Sequence, residues 1–390
     1  MKIILCTWGS MCEPGMIKAI NNLKYTVTLF DKKYTDVNYD KKYFLALADF
    51  IQKHSDATCV LSLNYMPIVA RACKPFKIPY LSLTADCPCS TLYSKTLEYP
   101  HNRVFLFDRL QTEKFFPRNP ENIFHLPLAT DTTSWDNLKI SEFDYKTYGC
   151  DISFVGSLYS EVCKYNLIEH KLPEYMKGYI DGLMSAQQNV YGYYFIEDAI
   201  TTQWAREFQE HAELSGVAED YIDDIKGIVA DTYIGYKCTE QERINTIKAI
   251  SEIFNMDLWT LSDTSVLPKV NNRGPADSGT MMPVIFKCSK INLNMTNRAI
   301  RSGIPLRIFD ILGCGGFLIS NYQPEILELF TPDEDIVLYD SIPDLLAKID
   351  FYLKHDDIRT QIAKNGYEKV KKYHTYENRL RYMLKTSGII

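Results

Sequence analysis

The chain has 390 residues, 46% of them hydrophobic, and a formal net charge of −6. That length carries enough apolar material for two domains rather than one, and the acidic balance, with no long run of Lys or Arg, excludes the basic footprint of a nucleic-acid or anionic-membrane binder. No stretch approaches the roughly eighteen consecutive apolar residues of a membrane-spanning helix, so a cytoplasmic protein with no transmembrane segment is expected.

The opening MKIILCTWGSMCEPG turns quickly from apolar to polar and glycine-containing, and reads as a first strand rather than a signal peptide. Short apolar runs recur at 2–6, 26–30, 58–63, 80–83, 104–107 and, more weakly, 123–128. Continuous rather than alternating runs predict strands covered on both faces, which is the mark of a parallel sheet. Segments 14–22, 41–53 and 66–74 are long enough for crossover helices, so residues 1–135 are expected to form one doubly wound α/β unit. A second series of strands is predicted at 152–157, 257–262, 291–294, 317–320 and 336–339, giving a second unit over 150–375. Residues 160–255 between its first two strands read as a helical insertion, with Ile244, Ile247, Ile250, Ile253 and Phe254 at helical spacing. Residues 376–390 form an amphipathic helix expected to pack on a domain surface, with a return to the first domain as one option. The eleven cysteines are scattered, and Cys6, Cys59 and Cys288 sit inside apolar runs, which suits reduced thiols. Cys87 and Cys89 lack both CxxC spacing and a second pair, so no metal site is expected.

The chemistry concentrates in SKINLNMTNRAIRSGIPLRIFDILGCGGFLISNYQPE, residues 289–325. Pro305 suits a first helical turn, so a helix is predicted to start after Gly303. Unpaired amides and the positive dipole end make such a start an anion site fit for a diphosphate. Arg307 would add bidentate phosphate contacts, and Asp310, about 5 Å further along the axis, lies where a bound ribose would present its hydroxyls. Taken alone, Arg307 and Asp310 read equally well as a surface ion pair. Asn294, Arg298 and Arg301 in the preceding loop are candidate sugar or phosphate contacts. Gly156 and Ser157 follow a strand and let the backbone approach a ligand, though an ordinary turn reads the same way. Arg273 and Gly274 lie in a polar loop where a base would rest. Near the start, Gly9 and Ser10 follow the first strand, and Asp86 follows another, placed as a general base for an acceptor hydroxyl or as a plain turn aspartate.

The stretch GIPLRIFDILGCGGFLISNYQPEILELF, with IVLYDSIPDLLAKIDFYLKHDD and YEKVKKYHTYENRL after it, resembles the C-terminal domain of the CgeB-like, or spore maturation protein-like, glycosyltransferases. SLTADCPCSTLYSKTLEYPHNRVFLFDR, HLPLATD and DISFVGSLYSE extend the resemblance over most of the chain. It implies a GT-B fold, in which two Rossmann-like domains face a cleft and the second holds the donor. In that class a carboxylate followed by small residues and glycine binds the donor ribose, a position matched by Asp310 with Gly313, Gly315 and Gly316. The sequence departs from the better-known form, two glutamates eight positions apart, by carrying Asp310 at one and Ser302 at the other.

The combined reading is a glycosyltransferase, hexosyltransferase-like, that moves a sugar from a nucleoside diphosphate sugar to a hydroxyl of a glycan, surface polysaccharide or protein. UDP, GDP and dTDP donors stay open, and the resemblance implies that no metal takes part. The alternatives are a nucleotide-sugar epimerase of the same build and a non-catalytic nucleotide or glycan binder; the lack of a GxGxxG after any predicted strand argues against a dehydrogenase.

Overall fold

The computed structural model describes residues 1–214 and 220–390; residues 215–219 of the helical insertion lie outside the described residues. The chain divides into two compact units, and the first contains Met1–Thr130, the described part of Gly216–Asp223 and His374–Ile390. Six parallel strands form its sheet: β1 (Lys2–Cys6), β2 (Thr26–Phe30), β3 (Cys59–Leu63), β4 (Tyr80–Thr84), β5 (Asn102–Leu106) and β6 (Ile123–His125), in the order β2-β1-β3-β4-β5-β6. β1 lies between β2 and β3, with Ile3 opposite both Val27 and Cys59. The apolar runs behave as their composition predicts: every residue of β3 and β4 is buried, whereas edge strand β2 leaves Leu29 exposed.

Helices Glu13–Asn22, Lys41–Lys53 and Pro67–Cys73 make the first crossovers. The second starts at Asp40, whose side chain accepts from the Tyr43 amide and satisfies one of the donors a helix start leaves open. The C-terminal helix Tyr376–Thr386 packs on Glu13–Asn22, and Gly15 admits the Tyr376 ring so closely that an added Cβ would stand 2.4 Å from it. Arg379 on the same helix donates to the carbonyls of Pro127 at 2.5 Å and Leu128 at 2.9 Å. Residues 220–223 are held by this unit as well: Asp220 pairs with Arg71 at 2.6 Å and accepts from Ser94 at 2.9 Å.

The second unit, Asp131–Ser215 and Asp224–Tyr373, carries β7 (Cys150–Val155), β8 (Met256–Trp259), β9 (Asn271–Asn272), β10 (Ser289–Asn294), β11 (Leu318–Asn321) and β12 (Val337–Tyr339). All are parallel, in the order β12-β11-β10-β7-β8-β9. The connection from β7 to β8 is the helical insertion, which has its own core around Met176, Ile180, Phe208 and Ile234. Its last helix, Gly235–Ser251, returns to the sheet with Ile247 and Ile250 fully buried. Ile253, expected on the same stripe, falls beyond the helix end and is exposed, because the helical period stops at Ser251.

Candidate functional site

In the second sheet the strand order reverses between β7 and β10, which are neighbours although β8 and β9 intervene in sequence. At such a reversal the loops leaving the two strands diverge to opposite faces and open a crevice at their carboxyl ends. The loops concerned follow Val155 and Asn294, so Gly156 and Ser157 lie on one side and residues 295–305 on the other.

The Gly235–Ser251 helix holds both loops. Thr239, Glu242, Arg243 and Thr246 recur at helical spacing, share one face and are all buried. Arg243 donates to the Ser157 carbonyl at 2.5 Å and to the Met295 carbonyl at 2.5 Å, and its guanidinium lies 4.7 Å from the Tyr159 ring centroid. Thr239 meets the Asn297 side chain at 3.0 Å and accepts from the Arg298 amide at 3.0 Å. Glu242 takes the Arg298 guanidinium in a two-pronged pair, at 2.5 and 2.8 Å. Among the described residues Arg243 has no carboxylate partner within ion-pair distance. Burial depresses its pKa, while Tyr159, Glu242, Tyr339 and Glu161 act in the opposite direction.

The helix after β10 is Leu306–Gly313, with extended Pro305 as its N-cap and no side chain capping it. Pro305 therefore precedes the first turn instead of lying inside it, because its ψ of 153° is extended. Arg307 and Asp310 are partly exposed and 3.7 Å apart. Desolvation pulls the Arg307 pKa down, Asp310 opposes this, and the nearby charge of Arg243 adds to the depression.

Several expected residues stand elsewhere. Gly315 and Gly316 close the far end of the Leu306–Gly313 helix: Gly315 has a φ of 77°, and the amides of Gly315 and Gly316 return to the Leu312 and Ile311 carbonyls at 2.9 and 3.0 Å. An eight-residue helix is about 12 Å long, so these glycines sit about that far from its start. Gly316 is needed for packing, since a Cβ there would stand 2.9 Å from the Phe286 carbonyl oxygen. Arg273 turns toward Asp257, at 3.4 Å, and the Thr147 carbonyl, at 2.6 Å, ahead of β7 and away from its carboxyl end. Asn294 is buried and spends its amide on Thr296 and Ser320 at 3.0 and 2.9 Å. Arg298 is committed to Glu242, and Arg301 pairs with Glu197 and with Asp231 at 2.8 Å. Ser302 donates to Glu325 at 2.7 Å, so a carboxylate from the segment after β11 meets the serine position.

In the first unit the corresponding reversal lies between β1 and β3. Gly9, with a φ of 99°, and Ser10 follow β1, but the amides of Trp8 and Gly9 point at the buried carboxylate of Glu13, at 2.8 and 3.3 Å. The chain's own carboxylate fills that amide cradle. Asp86 follows β4 and accepts from the Asn64 side-chain Nδ2 at 2.5 Å, while the Oδ1 of the same side chain takes the amides of Ala85 and Asp86 at 2.8 and 3.2 Å. Desolvation raises the Asp86 pKa against the lowering effect of Asn64. Asp108 caps the helix Arg109–Phe115 through the Gln111 amide at 2.9 Å.

Arg243 is the residue that sequence reasoning missed. Its signal, a polar stripe at 239, 242, 243 and 246, was hidden by the isoleucine stripe on the same helix.

Two Rossmann-like units, each with a six-stranded parallel sheet, define the GT-B fold. Residues 245–385, which include β10 and the Leu306–Gly313 helix, match a family model described as glycosyl transferase-like. No curated protein matches the chain. Among solved structures, the chain is similar to Anabaena Alr3699/HepE in complex with UDP-glucose, with a TM-score of 0.58 at 10% identity over 100% of both chains. It is also similar to sucrose-phosphate synthase from Thermosynechococcus elongatus, with 0.56 at 10% identity over 99% of this chain and 98% of the other. A glycosyltransferase from Rickettsia africae gives 0.53 at 10% identity, again over 99% and 98%.

Proposed function

We propose that the protein is a glycosyltransferase of the CgeB-like group that moves a hexosyl unit from a nucleoside diphosphate sugar to an acceptor hydroxyl on a glycan or protein. The observation that carries this is the uncapped start of the Leu306–Gly313 helix at the carboxyl edge of the second sheet, with Arg307 in its first turn and Asp310 3.7 Å from it. A diphosphate there would receive backbone donors from the helix start and charge-assisted contacts from Arg307. Asp310, next to Arg307, would accept from the ribose hydroxyls.

As the bond from the anomeric carbon to the diphosphate breaks, its electrons pass to the diphosphate, where these fixed charges stabilise them. The same charges stand in for a metal ion, so the reaction is proposed to be metal-independent and to survive chelation by EDTA. Asp86, with its raised pKa, is the proposed base that takes the proton from the acceptor hydroxyl in the cytoplasm. UDP donors rank first, because the Anabaena relative is described in complex with UDP-glucose.

Incubation with UDP-, GDP-, dTDP- and CMP-sugars tests the proposal. Release of free nucleotide supports transfer, interconversion of sugars would indicate an epimerase, and binding without turnover would indicate a non-catalytic protein.

A further inference from the structure

A pocket of about 370 Å³ opens in the second unit beside the end of β12, bordered by Ser185, Gln188, Tyr191, Asn245 and Asp340 among others. None of Arg243, Arg307 and Asp310 lines it. Its size is that of a small-molecule site, and its lining defines an unusual chemistry. Among the described residues neither lysine nor arginine lines it, while the carboxamides of Gln188, Asn189 and Asn245 and the hydroxyls of Ser185, Thr246 and Ser341 do.

The carboxamides are held in orientation. Asn245 donates to Gln188 at 3.0 Å, Gln188 donates to Gln241 at 3.0 Å, and Asn189 donates to the Ser185 carbonyl at 2.9 Å. Thr246 is buried and its hydroxyl has no hydrogen-bond partner. A buried hydroxyl without a partner is costly, and a ligand able to reach it would remove that cost.

The charges select against an anion. Glu242 is neutralised by Arg298, and Asp340 is exposed and negative at the rim. The helix Ile342–Lys354 starts here, but Ser341 already accepts from its Asp344 amide at 3.3 Å, and Asp344 itself occupies the first turn. Carboxamides and hydroxyls both donate and accept, as do the hydroxyls of a sugar, and Tyr191, Ile342 and Pro343 add apolar surface for its C–H faces.

We infer that this pocket binds a neutral carbohydrate. The inference stands on the pocket alone and not on the assignment of the donor site.

Isothermal titration of the full chain with maltotriose, cellotriose and N,N′,N″-triacetylchitotriose tests it, with inorganic phosphate and UDP as comparison ligands. At least one trisaccharide is expected to bind, and its affinity to fall at least tenfold in Asn245→Leu and in Gln188→Leu while the affinity for UDP stays the same. Asn245 is exposed, so that variant retains its fold even where Gln188→Leu does not. Absence of binding by all three trisaccharides, binding that survives Asn245→Leu, or competition by phosphate or UDP would overturn the inference. A wild-type protein that takes a trisaccharide but ignores UDP would remove the donor reading and leave this one standing.

Discussion

The guanidinium of Arg243 donates to the carbonyl oxygen of Ser157 at 2.5 Å. Its other terminal nitrogen reaches Met295, so one side chain ties together the loops that leave β7 and β10. Arg243→Met would leave two carbonyls without their donor, a loss of about 1–3 kcal/mol in stability. The same change should weaken UDP binding roughly tenfold or more, through the lost charge-assisted contact. Urea unfolding and titration calorimetry separate the two effects; unchanged affinity in a less stable variant would reduce Arg243 to a loop tie.

Glu242 and Arg298 form a buried two-pronged pair. Glu242→Gln removes one charge and strands the other, at a cost of about 3–5 kcal/mol. The double change Glu242→Leu with Arg298→Met removes both and should recover most of that loss, because a buried pair gains little over apolar packing. Denaturant midpoints of Glu242→Leu, Arg298→Met and the double variant test the coupling.

Asp86 has a pKa raised from the usual aspartate value, with desolvation as the leading cause. A base must be deprotonated, so the acid limb of the pH–rate profile should be shifted upward from that of an unperturbed aspartate. The sign for stability is the reverse: the folded state holds this proton more tightly than the unfolded state, so the charged form disfavours folding once pH exceeds the folded pKa. Asp86→Asn should therefore lower kcat by roughly 10²–10⁴-fold while the melting temperature at neutral pH stays level or rises. A variant with wild-type kcat would end the assignment.

Gly315 and Gly316 belong to the end of their helix. Gly315→Ala, at a φ of 77°, should cost about 1–2 kcal/mol in stability. Gly316→Ala, with its new Cβ 2.9 Å from both the Phe286 carbonyl oxygen and the Asn292 side chain, should cost about 1–3 kcal/mol. Thermal unfolding checks both values, and UDP affinity should stay unchanged in either variant.

The doubly wound build was legible because buried parallel strands write themselves as unbroken apolar runs, as at Cys59–Leu63 and Tyr80–Thr84. β9 was not legible: Asn271 and Asn272 are two polar, exposed residues, and only their pairing with Asp257 and Leu258 makes them a strand. Around the candidate site, residue type alone could not tell a proposed phosphate contact from a structural arginine. Arg298 and Arg307 look alike in sequence, yet Arg298 meets Glu242, which lies 56 positions away and has no local signature. The amide cradle at Gly9 was misleading for the same reason, since Glu13 fills it from within the chain. Arg243 escaped notice because its partners are carbonyl oxygens, which every residue carries and no sequence displays.

Titration calorimetry of UDP against the wild-type protein and Asp310→Ala, with unfolding curves for both, tests the donor site most directly. Loss of charge-assisted hydrogen bonds to ribose, about 1.5–3 kcal/mol, predicts a Kd raised roughly ten- to a hundredfold, with the unfolding curve preserved. Equal affinity for UDP in the two proteins would contradict the account.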